Sequence, residues 1–187
     1  MIGKNENFQR IEGVQLVLRL VEPSDAAYIH GLRTNPAYNA YLSTVTGSVA
    51  DQRDWIEAYK AREVAGTEYY YVIERTDGTR CGVVRLYDIA DNRFTWGSWI
   101  LDHNKPRKAA LESAWLIYRI AFEVLGQFEA YFEVSSENLN TLAFHRRFRA
   151  TETHRTEQDI FFVYPRAQFD ADKGAYRSIL ELEERNG

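Results

Sequence analysis

The chain has 187 residues, of which 45% are hydrophobic and 27% charged, a balance typical of a globular protein with one sizeable core. Its 23 lysines and arginines against 27 aspartates and glutamates give a net charge of −4, which argues against a dedicated nucleic-acid-binding protein. Cys81 is the only cysteine, which excludes an internal disulfide. The sequence has no window that could span a membrane, and Met1–Gln15 has no apolar signal-peptide core. We therefore expect a cytoplasmic protein.

Alternating hydrophobicity and turn residues predict a strand, two helices and then three strands in the first half of the chain. The predicted ranges are Val14–Val21, Ala26–Arg33, Val49–Glu63, Glu68–Arg75, Arg80–Ile89 and Arg93–Leu101. Asp77-Gly78 is a strong hairpin signal, so the three strands are predicted to form an antiparallel meander. Trp96 and Trp99, three residues apart on the last strand, are expected to face opposite sides of the sheet.

The second half begins with the period of a long helix, Ala110–Leu125, closed by Gly126. A strand, a helix with Asn138 as its N-cap, another strand and a polar C-terminal helix are predicted to follow, at 129–134, 139–148, 159–164 and up to about 184. This order predicts an α+β (mixed α/β) fold in which helices flank a sheet. We expect a single domain, 1–187, with 166–187 as a C-terminal helical extension.

Several common chemistries are absent from the sequence. It contains no phosphate-binding P-loop, no dinucleotide-binding glycine motif, no zinc-protease helix and no nucleophile elbow. The four histidines, His30, His103, His145 and His154, lack the spacing of metal ligands, which argues against a zinc site.

A basic loop precedes the long helix. Lys105, Arg107 and Lys108 lie where the unpaired amides and the dipole of a helix N-terminus favour anions over cations. The excess of cations is explained if an anionic ligand binds there. A solvated basic loop explains the same residues equally well.

At this point the sequence resembles the GNAT acetyltransferase superfamily. The resemblance rests on Trp99–Ala114, which is similar to the family's acetyl-CoA pyrophosphate loop and helix, and on Glu137–Phe148, which is similar to its second helix motif. Tyr41-Leu42 followed by Trp55-Ile56 resembles the branch of ribosomal-protein and amino-sugar acetyltransferases. The resemblance implies a GNAT-like fold, with a central, mostly antiparallel, twisted sheet flanked by helices.

The resemblance also implies an activity. We expect an N-acetyltransferase that uses acetyl-CoA as cosubstrate and acetylates the primary amine of a small molecule, with a nucleotide-linked amino sugar as the first candidate. A protein N-terminus, as in ribosomal-protein acetyltransferases, is the alternative acceptor. A non-catalytic acyl-CoA-binding sensor is the alternative from another class. Neither nucleic acid nor membrane is expected as a partner, and a homodimer is left open.

The cofactor-binding residues implied by the resemblance fall in three places. Backbone amides near Ile100, Leu101 and Asp102 would polarise the thioester carbonyl. The pyrophosphate would lie on the loop formed by Arg107, Lys108, Ala109 and Ala110, and Asn138 would hold the pantetheine arm. This loop departs from the family because Lys108, Ala109 and Ala110 occupy a stretch that usually carries glycines, and Arg149 also replaces a glycine.

The catalytic candidates are a histidine and two acids. His145 aligns with the family's tyrosine general acid and would protonate the departing thiolate, because an unperturbed imidazole titrates near neutral pH. Asp88 at a strand end is the first candidate for the general base, and Glu133 is the second. The alternatives are a packed helix histidine and exposed strand-end acids.

Overall fold

A computed structural model describes residues 7–186. Residues 1–6, which begin the Met1–Gln15 stretch, and residue 187 lie outside the described residues. The strands are β1 (Arg10–Glu12), β2 (Leu16–Leu20), β3 (Tyr69–Arg75), β4 (Arg80–Ala90), β5 (Arg93–Leu101), β6 (Glu129–Ser135), β7 (Thr151–Arg155) and β8 (Asp159–Pro165). The helices are α1 (Ala26–Thr34), α2 (Val49–Val64), α3 (Ala109–Tyr118), α4 (Leu139–Arg147) and α5 (Arg166–Asn186). None of the helices in the described part of the chain combines the length and apolarity of a membrane span.

The eight strands form one sheet in the order β1-β2-β3-β4-β5-β6-β8-β7. Every neighbouring pair is antiparallel except β5 and β6, which are parallel and are connected through α3. These two strands pair only at Arg93 with Glu129 and at Phe94 with Ala130. The rest of β5 and β6 has no mutual pairing, so a gap opens between them toward their C-terminal ends. The predicted α+β fold and the antiparallel meander are confirmed.

A β-bulge in β5 lies beside this gap. Arg85 pairs with Gly97 and Val83 with Ile100, so one residue of β4 faces both Ser98 and Trp99. Ser98 has a positive φ of 47°. The extra residue reverses the alternation of side chains, and the Trp96 and Trp99 rings therefore lie together, 5.1 Å apart. The expectation that these two tryptophans face opposite sides is wrong for this reason.

The core lies on both faces of the sheet. On one face α3 and α5 pack against all the central strands, through an aromatic cluster that includes Tyr118, Phe122 and Phe169. On the other face α1 and α2 pack against β3, β4 and the end of β5, where Ile29 and Tyr59 lie in one cluster with Tyr70, Val83 and Ile100. Because α1 and α2 cover only that half of the sheet, the gap between β5 and β6 stays accessible on their side.

The start of α3 is fixed by a buried carboxylate. Glu112 in its first turn is fully buried, and its Oε1 accepts three backbone N–H groups, from Val14 at 2.6 Å, Gln15 at 2.8 Å and Leu16 at 3.0 Å. A Cβ on Gly13 would lie 2.3 Å from the same oxygen, so glycine is required there. The turn before β2 thus holds the N-terminus of α3 in place.

The helix and strand predictions differ from the structure in a few places. The helix predicted at Ala110–Leu125 is α3 followed by a π-helical turn at Arg119–Val124, in which the Leu125 amide donates to the Ile120 carbonyl. The strands β1 and β7 were not predicted, because they are short and mostly exposed edge strands with little hydrophobic signal.

Candidate active site

A cleft of about 430 Å³ occupies the gap between β5 and β6. Trp96–Trp99 line it from β5 and Phe132–Ser135 from β6. Asn138 and His145, two turns apart on one face of α4, line its floor, as their spacing predicts. Residues of the loop between α1 and α2 complete the wall, among them Tyr38, Tyr41, Leu42 and Ser43.

His145 sits in an aromatic wall of the cleft and is 4% exposed. Its ring lies 4.4 Å from Phe132, 5.4 Å from Trp96 and 5.4 Å from Phe144. Burial lowers the pKa of His145 to about 3, so the imidazole is neutral at pH 7. A neutral ring can donate one N–H and accept at the other nitrogen, but it holds no spare proton near neutral pH. The reason that the sequence suggested for an acid role, an imidazole titrating near neutrality, does not apply to this environment.

Asn138 caps α4 and also lines the cleft. Its Oδ1 caps α4 by accepting the Thr141 amide at 3.2 Å. The predicted N-cap is therefore confirmed, and the Nδ2 group remains to face the cleft that the residue lines.

The two predicted acids lie in different surroundings. Glu133 projects from β6 into the cleft lining. Asp88 is exposed, has a positive φ of 50° at an irregularity of β4, and is not among the residues lining the cleft. The structure instead brings a second carboxylate, Asp159 at the start of β8, to the same cleft as Glu133. Residues 135 and 159 are paired neighbours on the two strands, which explains this proximity.

Tyr87 is a further cleft residue that the sequence did not indicate. Its hydroxyl would lie 3.1 Å from a Cβ built on Gly97, so the phenol covers this glycine of β5. Burial and the nearby Glu133 raise the pKa of Tyr87, which keeps the phenol protonated at neutral pH. The Tyr87 ring of β4 thus forms part of the cleft wall beside Gly97 of β5.

A second hollow, of about 300 Å³, lies at the start of α3. It is lined from α3 and its loop by Lys108, Ala110 and Leu111, and from α4, the residue after it and α5 by Phe144, Arg147, Phe148 and Tyr176. The amides of the first turn of a helix have no partner within the helix, so this hollow suits an anion. The Trp99 and Phe144 rings, 5.1 Å apart, lie between this hollow and the cleft.

Lys108 adopts the backbone conformation for which the family's loop usually carries a glycine. It is the residue before α3 and adopts a left-handed conformation, with φ 61° and ψ 13°. The two alanines that follow are regular: Ala109 is buried in the core and Ala110 faces the hollow. The backbone shape that glycine normally allows is therefore present, although a lysine provides it.

The other residues predicted to bind the cofactor line neither the cleft nor the hollow. The Arg107 side chain is 85% exposed and pairs with Glu183 of α5 at 2.8 Å. The Asp102 amide donates to the Cys81 carbonyl, and its carboxylate accepts from the Tyr28 hydroxyl at 2.7 Å. Ile100, Leu101 and Asp102 do not line the cleft, whereas Gly97, Ser98 and Trp99 do. Within residues 7–186, no three His, Cys, Asp or Glu side chains are grouped as metal ligands would be.

Comparison with known proteins identifies the arrangement. The family model described as an acetyltransferase (GNAT) domain matches residues 15–151. The apo structure of FdhC, described as a nucleotide-linked sugar GNAT, is 39% identical, with a TM-score of 0.84 over 91% of this chain and 97% of that chain. Spermidine N-acetyltransferase from Vibrio cholerae, solved with CoA and spermine, is 19% identical, with a TM-score of 0.73 over 83% and 98% of the two chains. No curated protein matches the sequence significantly.

The buried histidine gives a pH-dependent stability. Its pKa is about 3 in the folded chain against 6.5 for an ordinary imidazole, so only the unfolded chain takes up this proton between those values. Stability is therefore lost as the pH falls below 6.5, by about 2 kcal/mol at pH 5. We predict that His145→Phe loses less unfolding free energy than the parent protein between pH 7 and pH 5, as measured by urea denaturation.

His103→Phe, in an exposed loop, is the matched control. Equal pH dependence in the parent protein and in His145→Phe would contradict the prediction.

Proposed function

The chain belongs to the GNAT family of N-acetyltransferases, and from this premise we propose that it transfers the acetyl group of acetyl-CoA to the amine of a nucleotide-linked amino sugar. The observation that carries the proposal is the cleft between β5 and β6, which is lined by two carboxylates and meets the hollow at the start of α3 across one aromatic wall. Similarity over almost the whole chain to a nucleotide-linked sugar GNAT supports the choice of acceptor.

The residues present fit acetyl-CoA, which supplies an activated acetyl thioester. Lys108 and the first amides of α3 would hold its diphosphate, and Arg147 adds a second cation to the hollow. The edges of β5 and β6 that lost their mutual pairing carry backbone groups that can bond to the pantetheine amides. Asn138 lines the same gap, and its amide would hold the pantetheine arm.

The chain's own groups divide the chemistry between them. Glu133 is placed to remove a proton from the acceptor ammonium, directly or through a water molecule. Backbone amides at the Ser98 bulge are placed to donate to the developing oxyanion, which moves this role two to four residues before Ile100–Asp102. His145, being neutral, would donate an N–H hydrogen bond to the departing sulfur, and the proton that the thiolate takes up would come from water or from the attacking nitrogen.

The proposed function is tested by thiol release from acetyl-CoA with a panel of amines. We predict the highest kcat/KM with a nucleotide-linked amino sugar, compared with the same sugar without its nucleotide, spermidine and a peptide with a free N-terminus. A preference for the peptide would favour the alternative acceptor. CoA binding without thiol release for any amine would favour a sensor.

The α3 site gives a prediction about CoA binding. Lys108→Glu should raise the Kd of CoA roughly tenfold or more, because it replaces a charge-assisted contact with repulsion. Lys108→Gly keeps the left-handed backbone and removes the charge, so its effect should be smaller than that of Lys108→Glu. Calorimetric titrations at two salt concentrations measure both, and the difference between the variants should shrink at high salt.

CoA should also raise the melting temperature of the parent protein, by an amount that grows with CoA concentration. An unchanged Kd in Lys108→Glu would exclude this lysine from the diphosphate site.

The cleft acids give a prediction about the base. Glu133→Gln should lower kcat/KM by roughly 10²–10⁴ and remove the acidic limb of the pH–rate profile, since an amide cannot accept the ammonium proton. Glu157→Gln, an exposed position in the loop between β7 and β8, is the matched control. If Asp88→Asn lowers kcat/KM and Glu133→Gln does not, the base is the acid that the sequence favoured first.

A further inference from the structure

Arg33 at the end of α1 carries an uncompensated charge. Its Nη2 donates to the Ser43 hydroxyl at 2.8 Å and to the Ser43 carbonyl at 3.2 Å, both neutral acceptors. Its Nε is buried and has no hydrogen-bond partner among residues 7–186. No carboxylate in that part of the chain forms an ion pair with it, and a buried guanidinium N–H without an acceptor is costly. An anion from outside the chain would satisfy it.

A second unpartnered group lies close to Arg33. Tyr70 is 1% exposed, and its hydroxyl has no hydrogen-bond partner in the described chain. Burial raises the pKa of Tyr70 to about 12. Tyr70 lies in the same buried cluster as Leu32, the neighbour of Arg33 on α1, and Leu42, the neighbour of Ser43, packs against that cluster. Tyr70 and Arg85 are also direct partners in the β3–β4 pairing.

Local charges do not cancel at this place. Glu68 pairs with Arg62 at 2.6 Å and with Arg85 at 2.8 Å, so one carboxylate serves two guanidinium groups. Glu68 is therefore the ion-pair partner of two of the three arginines, and Arg33 has none within residues 7–186. Trp55, between Arg62 at 5.3 Å and Arg85 at 5.7 Å, holds these side chains against α2.

This positive region adjoins the acceptor cleft. Ser43, which binds Arg33, lines the cleft, and so does Tyr87, whose ring centre lies 4.7 Å from the Arg85 guanidinium. The cleft's own lining contains two carboxylates, Glu133 and Asp159, and neither lysine nor arginine. The negative groups belong to β6 and β8, and the positive ones to α1 and β4. A ligand in the cleft would therefore have acids on the β6–β8 side and arginines behind Ser43 and Tyr87.

We propose that Arg33, Arg85 and the Tyr70 hydroxyl form a subsite for the diphosphate of a nucleotide-linked acceptor. This inference rests on the proposed function and adds to it the group that anchors the acceptor. The ammonium of the acceptor lies toward Glu133 and Asp159, and its diphosphate lies toward the arginines, where the forked guanidinium donors match phosphate oxygens. A polyamine has no anionic group for this subsite and would be repelled by it.

The subsite is tested by binding of uridine diphosphate and thymidine diphosphate, each measured by calorimetry. The protein is first saturated with CoA. The diphosphate of CoA then occupies the proposed site at α3, so the probe cannot bind there. We expect Arg33→Gln to raise the Kd of both probes by roughly 10- to 100-fold. Arg33→Lys keeps the charge but loses the forked N–H donors. Its Kd values should lie between those of the parent protein and those of Arg33→Gln.

Arg53→Gln is the matched control, since this exposed arginine on α2 pairs with Glu57 of its own helix at 3.5 Å. Melting curves verify that each variant is folded. Equal Kd values for Arg33→Gln and the parent protein would overturn the subsite.

Kinetics separate this inference from the proposed function. Arg33→Gln should raise KM for the nucleotide-linked amino sugar and leave kcat nearly unchanged, while KM for the same sugar without its nucleotide stays the same. An equal rise in both KM values would overturn the subsite and leave acetyl transfer intact. If no amine is acetylated but the Kd for nucleoside diphosphates still depends on Arg33, the proposed function fails and the subsite stands.

Discussion

The loss of pairing between β5 and β6 is the constraint from which the site follows. Two residue pairs hold these parallel strands together, and beyond Phe94 and Ala130 each strand continues without the other. Unpaired backbone N–H and C=O groups inside a sheet need partners, so the gap both admits a ligand and supplies groups that bind it. The bulge at Ser98 bends β5 at the same place and turns its amides away from the β4 ladder. The cleft is thus a property of the backbone before any side chain is considered.

Side chains then give the two parts of the gap different electrostatic characters. Around His145 the wall is aromatic, and the low polarity there keeps the imidazole neutral. At the start of α3 the helix dipole and Lys108 favour negative charge, while Glu112, although acidic, is buried and its Oε1 already accepts three backbone amides. A diphosphate and an apolar thioester end would therefore each find suitable surroundings, on the two sides of the Trp99–Phe144 contact.

The local parts of this arrangement could be predicted from the sequence, and the non-local parts could not. The range of β5 and the shared face of Asn138 and His145 follow from periodicity within one element. The bulge at Ser98 depends on the register with β4, which no periodicity within β5 reveals. Asp159 and Tyr87 reach the cleft only because β8 and β4 flank the diverging strands. Glu133 lines the cleft and Asp88 does not. The distortion of β4 that gives Asp88 its positive φ could not be predicted from the sequence.

Within residues 7–186, two of the residues other than glycine that have a positive φ border the two cavities. In the turn at Asp91 and Asn92 such values are ordinary, but Ser98 and Lys108 adopt them at the bulge and at the start of α3. A left-handed conformation costs a residue with a Cβ about 1–2 kcal/mol, which glycine avoids. At Lys108 the same position gains a cation at the mouth of the helix, where bound anions gain a charge-assisted contact of comparable size. The backbone cost does not change when an anion binds at an unchanged conformation, so it is the lysine charge that would favour the bound state more than glycine would.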